Sequence, residues 1–244
     1  MTGLAGWPAS LRLIRFDSID STNEEAQRLA AKGERGPLWI VSVTQTAGRG
    51  RRGNRWISEP GNLFATLLLP ASTGTAAQLG FAAGLAVVET LRAHLEPDRI
   101  RLKWPNDVLA DKRKIAGILL ETAGTDAVAV GIGLNLKHHP SDTEFPAVSL
   151  RSILGQAPPP EDVLPQLATS LHAWYEVWQS QGFAALKRAW LERAEGLGRE
   201  IRARLANDEV RGVFETLDDD GALLLRTPDG GLTRITAGEV FFRA

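Results

Sequence analysis

The sequence predicts a mixed α and β protein that ends in a small β-barrel. Three patterns carry that expectation. Segments with strand texture alternate with helical ones between residues 11 and 134. Leu164, Leu167, Leu171, Trp174 and Trp178 recur at steps of three and four, which puts one apolar stripe on a helix. After Gly198 the chain changes to short alternating segments separated by Asp/Gly turns, as in a compact all-β unit.

Taken in order, residues 11–16 alternate apolar and basic side chains, as an early strand does. Ser21-Thr22-Asn23-Glu24 then reads as a capping box, with the serine capping the third helical amide and the glutamate reaching back. Gly33 stops the short helix that follows. Residues 38–43 form a β-branched and apolar strand, and residues 63–69 another, ended by Pro70. Residues 76–95 read as a long, alanine-rich, largely buried helix. Residues 100–103 are a short strand broken by Pro105, after which Asp107 reads as a turn residue. Residues 115–121 and 127–134 are neighbouring buried strands joined at Gly124-Thr125-Asp126. Three prolines, 158–160, mark a linker before the striped helix, and Phe183, Leu186 and Trp190 continue the pattern on a second helix. Residues 201–205, 210–217, 222–226 and 232–236 are the strands of the terminal barrel.

Composition narrows the class. The chain has 244 residues, 43% hydrophobic and 23% charged, enough for one sizeable core and a small extra domain. A net charge of −1 argues against coating nucleic acid by bulk charge. The absence of cysteine removes disulfides, a thiolate nucleophile and cysteine-ligated zinc. The first seven residues lack a basic segment followed by an apolar core, and the longest apolar run, 79–88, is interrupted by Glu89 and too short for a bilayer. A soluble, cytoplasmic protein without membrane contact is expected.

Against that near-neutral background, Gly48-Arg49-Gly50-Arg51-Arg52-Gly53-Asn54-Arg55, closed by Trp56, concentrates four arginines and three glycines. Glycine lets the backbone turn and approach a ligand; arginine offers a donor fork matched to carboxylate and phosphate. No Gly-Lys-Ser/Thr follows, so this is not a P-loop. The segment reads as a loop that closes over a small polyanion. Other polar clusters are Ser21-Thr22-Asn23, Gln45, Lys103-Trp104-Pro105-Asn106-Asp107, Lys112-Arg113-Lys114 and Gly131-Ile132-Gly133-Leu134-Asn135. Each alone has a plain structural reading: a helix cap, a solvated turn, a strand glycine that marks close packing. His138-His139 is a poor metal pair, because adjacent side chains of an extended chain point opposite ways.

In combination and in this order, the Gly/Arg loop with Trp56, the Lys103–Asp107 cluster, Lys114-Ile115-Ala116-Gly117-Ile118-Leu119 with Glu121, and Gly131–Asn135 resemble the biotin–protein ligases (biotin–[acetyl-CoA-carboxylase] ligases). Ser21-Thr22-Asn23 and Gln45 also match that family's pattern. The likeness runs over residues 10 to 190, and the β-rich tail is similar, more loosely, to the family's SH3-like C-terminal domain. The resemblance implies an α+β fold: a mixed sheet with helices mostly on one face, like the class II aminoacyl-tRNA synthetase core, over residues 1–195, then an SH3-like β-barrel over 196–244. It implies biotin and ATP as substrates, with Mg2+, and a lysine of the biotin carboxyl carrier protein as acceptor. The positions that match for biotin are Ser21, Thr22, Asn23, Gln45, Gly48, Arg49, Arg51, Lys114, Gly117 and Gly131. Those for ATP are Arg51, Arg52, Gly53, Asn54, Arg55, Trp56, Asn106, Asp107, Lys114 and Asn135. Arg49, Lys114 and Asp107 are the expected catalytic residues: Arg49 and Lys114 would bridge biotin carboxylate and α-phosphate, the strands near Gly117 and Gly131 would leave room for the flat bicyclic ring, Trp56 would flank the adenine, and Asp107 is a candidate base for the target lysine. No residue is assigned to a protein-held metal.

Some members of the family carry an N-terminal helix-turn-helix domain. Only twenty residues precede Ser21, so a dedicated ligase without DNA binding is expected. Members often dimerise through a sheet edge, which leaves a homodimer open. Three rivals are weighed: a lipoate–protein ligase, which shares the adenylation logic; a non-enzymatic nucleic-acid module using Arg49 to Arg55; and a catalytically dead biotin-sensing protein, against which the presence of both Arg49 and Lys114 argues. The second leaves Gln45, Lys114 and the strand glycines without a role.

Overall fold

The computed structural model describes residues 4–70 and 76–242. The outer ends of both expected domains, 1–3 and 243–244, therefore lie outside the described residues. Seven strands build the main sheet: β1 (Arg12–Ile19), β2 (Leu38–Gln45), β3 (Leu63–Pro70), β4 (Ile100–Lys103), β5 (Asp107–Ala110), β6 (Arg113–Ala123) and β7 (Ala127–Leu134). Their order is β1-β2-β3-β7-β6-β5-β4. β1 and β2 are parallel, joined by helix α1 (Thr22–Ala31), and every other neighbouring pair is antiparallel. The sheet is therefore mixed, as expected.

The apolar faces decide where the helices go. Ala26 and Ala30 of α1 pack against Leu38, Ile40, Leu68 and Ala129 on one face. On the other, Trp39, Leu67, Leu69, Val128 and Val130 meet three helices: α2 (Leu79–Leu91), α4 (Pro160–Gln181) and α5 (Phe183–Leu191). That asymmetry matters for the site, because the α1 side is only partly covered. A one-turn helix, α3 (Leu150–Leu154), begins at Ser149, whose side chain makes the capping box that was expected at Ser21. α2 is shorter than the 76–95 pattern because its first residues form a 3-10 turn. β5 contradicts the expected turn at Asp107. All four of its residues are buried, so no alternation betrayed the strand.

Five further strands follow: β8 (Glu200–Arg204), β9 (Glu209–Leu217), β10 (Leu223–Arg226), β11 (Leu232–Ile235) and β12 (Glu239–Phe242). They form an antiparallel sheet of order β11-β10-β9-β8-β12. This corrects the expected closed barrel. β12 pairs with β8, Val240 opposite Ala203, and among the described residues no pairing joins it to β11. The sheet is docked on the main one. Trp104 donates its indole N–H to the Gly221 carbonyl at 3.0 Å, and Phe81, Phe183 and Trp190 pack as edge-to-face rings 5.1 and 5.5 Å apart beneath Gly221. Among the described residues, no helix is long and apolar enough to cross a membrane.

Candidate active site

The partly covered face of the sheet holds a cavity of about 610 Å3. Its floor is where β6 and β7 lack side chains. Gly117 lies opposite Gly133 in the ladder, and Gly131 follows two residues along, so the three share a face. That face is not left open. A Cβ on Gly131 would sit 2.3 Å from Asn23 Oδ1, and one on Gly133 would sit 2.4 to 2.6 Å from the Trp56 indole. The glycines let a carboxamide and an indole lie directly on the backbone. Room for a flat ring was expected at Gly117 and Gly131, but Trp56 and Asn23 occupy that space. Trp56 therefore lies on the sheet floor, with Lys114 Nζ 5.5 Å from its ring. Its Nε1 is buried without a hydrogen-bond partner among the described residues.

One end of the cavity is a neutral polar network. Gln45 Oε1 accepts from the Thr22 amide at 2.8 Å and from its hydroxyl at 3.1 Å, while Gln45 Nε2 donates to Ser58 Oγ at 3.0 Å. Thr66 Oγ lies 2.8 Å from the Thr22 hydroxyl and 2.6 Å from Asn23 Oδ1. Asn23 Nδ2 donates to the Leu119 carbonyl and to Glu121. Ser21 stands at the N-cap position of α1, but its hydroxyl makes no cap bond, and Glu24 turns to Arg49 instead of back to Ser21. The expected capping box is thus absent here. Ser21, Thr22 and Asn23 are buried yet line the cavity.

The other end is charged. The Gly/Arg loop is a hairpin: Arg49 and Arg55 form an antiparallel bridge, Gly50 N donates to Asn54 O, and residues Arg51–Gly53 make a 3-10 turn. Arg52 and Gly53 take left-handed backbone angles there, with φ of 56° and 76°. Gly48 is tightly packed, since a Cβ would meet Trp56 O at 2.6 Å. Neither Gly48 nor Gly53 lines the cavity, whereas Arg49, Arg51, Arg52, Asn54 and Arg55 do. Arg49 is held by Glu24 and by both oxygens of Glu121 at 3.0 Å. Arg51 donates to Asn106 Oδ1 at 3.2 Å, and burial, then the neighbouring Arg52, lowers its pKa.

Asp107 lies between two lysines, Lys114 Nζ at 2.6 Å and Lys103 Nζ at 3.4 Å. Burial pushes its carboxyl pKa up, but the two ammonium groups outweigh this and hold it below the usual range. Lys103 is 1% exposed, and desolvation lowers its pKa against the pull of Asp107. Asn106 Nδ2 donates to the Ile118 carbonyl, and Asn135 Nδ2 to the Val148 carbonyl, so both amides are braced by the strands beside them. Among the described residues, no group of three or more His, Cys, Asp or Glu is placed to hold a metal. Asp107 is committed to its lysines.

Some residues escaped sequence reasoning. Glu24 and Glu121 anchor Arg49. Thr66 ties Thr22 to Asn23, and a lone hydroxyl inside the apolar run 63–69 was a readable signal. Beside Lys103 of the expected cluster, the cavity is also lined by residues 142–145 and 147 and by Arg204 and Glu239 of the second sheet. Nothing in the sequence pointed to the last two.

The model of the biotin/lipoate A/B protein ligase family matches residues 15–136, and that of the biotin protein ligase C terminal domain matches residues 196–243. A biotin–[acetyl-CoA-carboxylase] ligase of Paracoccus denitrificans is 45% identical over 235 residues, covering 91% of this chain and 97% of that protein. The bifunctional ligase/repressor BirA of Bacillus subtilis is 33% identical, covering 89% of this chain and 70% of that protein. The solved biotin protein ligase from Aquifex aeolicus, in complex with biotin and ATP, superimposes with a TM-score of 0.81 at 28% identity, over 95% of this chain and 98% of that one. Matched by the family model over half its length, and by a relative along nearly all of it, the chain belongs to the biotin/lipoate A/B protein ligase family.

Proposed function

We propose that the chain is an ATP-dependent biotin–[acetyl-CoA-carboxylase] ligase. It joins biotin to ATP as biotinyl-5′-AMP and transfers the biotinyl group to one lysine of a biotin carboxyl carrier protein. The observation that carries this reading is a single cavity with a neutral donor–acceptor network at one end and a cluster of cations at the other. Biotin has the matching polarity: a ureido ring at one end and a carboxylate at the other. The relative's name and the solved complex with biotin and ATP support the same substrates.

In the first step a biotin carboxylate oxygen attacks the α-phosphorus, and the bond to pyrophosphate breaks. The difficulty is repulsion between two anions. Arg49 and Lys114, assigned here to the carboxylate and the α-phosphate, offset it in a site with little water, and Arg51, Arg52 and Arg55 take the remaining phosphates. Ser21, Thr22 and Gln45 hold the ureido ring, and Trp56 covers the chain between them. In the second step the neutral amine of the carrier lysine attacks the acyl carbon, the acyl C–O bond to AMP breaks, AMP leaves, and the amine's extra proton passes to solvent. Asp107, kept ionised by two lysines, is a weak proton acceptor; its part is to aim Lys114 and Lys103. A Mg2+ carried on the ATP phosphates would supply charge neutralisation there, and no protein residue is assigned to hold it. Residues 1–195 carry both steps, and 196–244 form the C-terminal unit. β4 is covered by residues 193–195, which bond to Leu102, so β1 is the edge through which two copies would pair.

The test is incubation with biotin and α-labelled ATP. A labelled acyl-adenylate that requires biotin, and that lipoate does not replace, is expected. Label trapped with lipoate alone would transfer the assignment to the lipoate branch.

A further inference from the structure

The second sheet reaches the cavity through Arg204 and Glu239, two side chains that the reaction scheme does not use. Arg204, on β8, makes a two-pronged contact with Glu144, at 2.6 and 2.7 Å, and a third bond to Glu239 on β12 at 2.8 Å. Its guanidinium also lies 4.8 Å from the Phe241 ring centre, with Arg202 at 4.6 Å. Glu144 opens a short run of chain with two consequential contacts. Phe145 lies over Lys103, with Nζ 4.2 Å from the ring centre. Next to it, Lys114 N donates to Pro146 O at 2.8 Å, and Val148 N donates to Lys114 O at 2.9 Å. The backbone of Lys114 is thus zipped to the residues immediately after Glu144.

We propose that Arg204 is a positioning residue for adenylation: from the C-terminal sheet it latches the segment 142–147 against Lys103 and Lys114, and so sets where both ammonium groups stand. The inference rests on the ligase reading for its kinetic arm alone. Glu144 is 56% exposed and Arg204 38%, so the latch adds little to global stability. Its forked geometry and three-charge network instead fix a direction. A small displacement of a charged group near the reacting atoms is costly in rate even when the fold is intact.

The experiment compares Glu144→Gln, Arg204→Gln and Arg204→Lys with a control, Arg226→Gln. The control removes a forked pair of the same kind, with Glu215, far from the cavity. Two quantities are read: amide hydrogen exchange along 142–148, and kcat and KM for ATP in biotin-dependent adenylate formation. Glu144→Gln and Arg204→Gln are expected to speed exchange in 142–148 and to lower kcat/KM by about 10- to 100-fold. Arg204→Lys should fall between, and Arg226→Gln should match the parent. The proposal is overturned if Glu144→Gln leaves exchange and kinetics unchanged. It is equally overturned if Arg204→Gln loosens the whole of 200–242 while Glu144→Gln stays silent, because Arg204 would then serve only its own sheet. Should the parent chain form no adenylate, the ligase reading fails, and the exchange comparison still decides the latch.

Discussion

Replacing Lys114 by alanine separates charge placement from folding. Lys114 Nζ sits 2.6 Å from Asp107 and is 27% exposed on the side chain, whereas Lys103 sits 3.4 Å away and is 1% exposed. Removing Lys114 leaves Asp107 one ammonium partner. At an effective dielectric of about 20, that remaining pair still attracts by about 5 kcal/mol before desolvation is counted. The carboxylate is therefore not orphaned, and the stability loss should be about 1–2 kcal/mol, below the ~3–5 kcal/mol of a fully broken buried pair. The rate should suffer more. Losing one donor aimed at developing charge costs about 10²–10³ in the chemical step, some 3–4 kcal/mol. Biotin-dependent exchange of labelled pyrophosphate into ATP reads the first step, and urea unfolding reads the fold. The pH dependence gives a second signature. The folded Asp107 pKa lies below its ordinary value of about 3.9, so its contribution to stability is present above that value and is lost as pH falls through the folded pKa. Without Lys114, one of the two groups that lower it is gone, so the variant should begin acid unfolding at a higher pH. Unchanged pyrophosphate exchange in Lys114→Ala would refute the role given to this side chain.

Other outcomes follow from the same geometry. Asp107→Asn puts a neutral amide between two ammonium groups and should cost ~3–5 kcal/mol in urea unfolding, more than Lys114→Ala does; the reverse ranking would contradict the triad. Gly133→Ala drives a methyl into the Trp56 indole, 2.4 Å from its nearest atom, and should weaken biotin binding by calorimetry. The effect of the methyl should shrink in a Trp56→Ala background, and additive effects would show that the contact is not the cause. The loop 48–55 contains three glycines, whose ordering carries a large entropic cost, so biotin plus ATP should slow its cleavage by trypsin at Arg49 to Arg55. Equal cleavage with and without ligand would count against a closing loop.

β3 and β7 could be read from the chain because they are buried and apolar over six or more residues, as in 127–134, and β1 because its apolar and basic residues alternate. The motifs could be read because rare residue types, arginines among glycines, sit together where the chain turns. What could not be read lies where tertiary contact overrides local pattern. Ser21 has the sequence of a cap, yet its helix leaves the hydroxyl uncapped at the cavity while Glu24 is drawn away by Arg49. The strand glycines looked like room for a ligand; Asn23 and Trp56, distant in sequence, fill that room. Barrel closure depended on whether β11 or β8 would accept β12, and four-residue strands carry too little pattern to choose. Arg204 reaches the cavity only because the second sheet docks through Trp104 and Gly221.

The central claim is that Arg49 and Lys114 draw a carboxylate and an α-phosphate together. A crystal structure of the protein with biotin and a non-hydrolysable ATP analogue addresses it most directly. Both side chains should be found within hydrogen-bonding distance of the two anions, with the ureido ring on Thr22 and Gln45. A ligand pair seated with both side chains beyond hydrogen-bonding distance of the carboxylate and the α-phosphate would contradict the account.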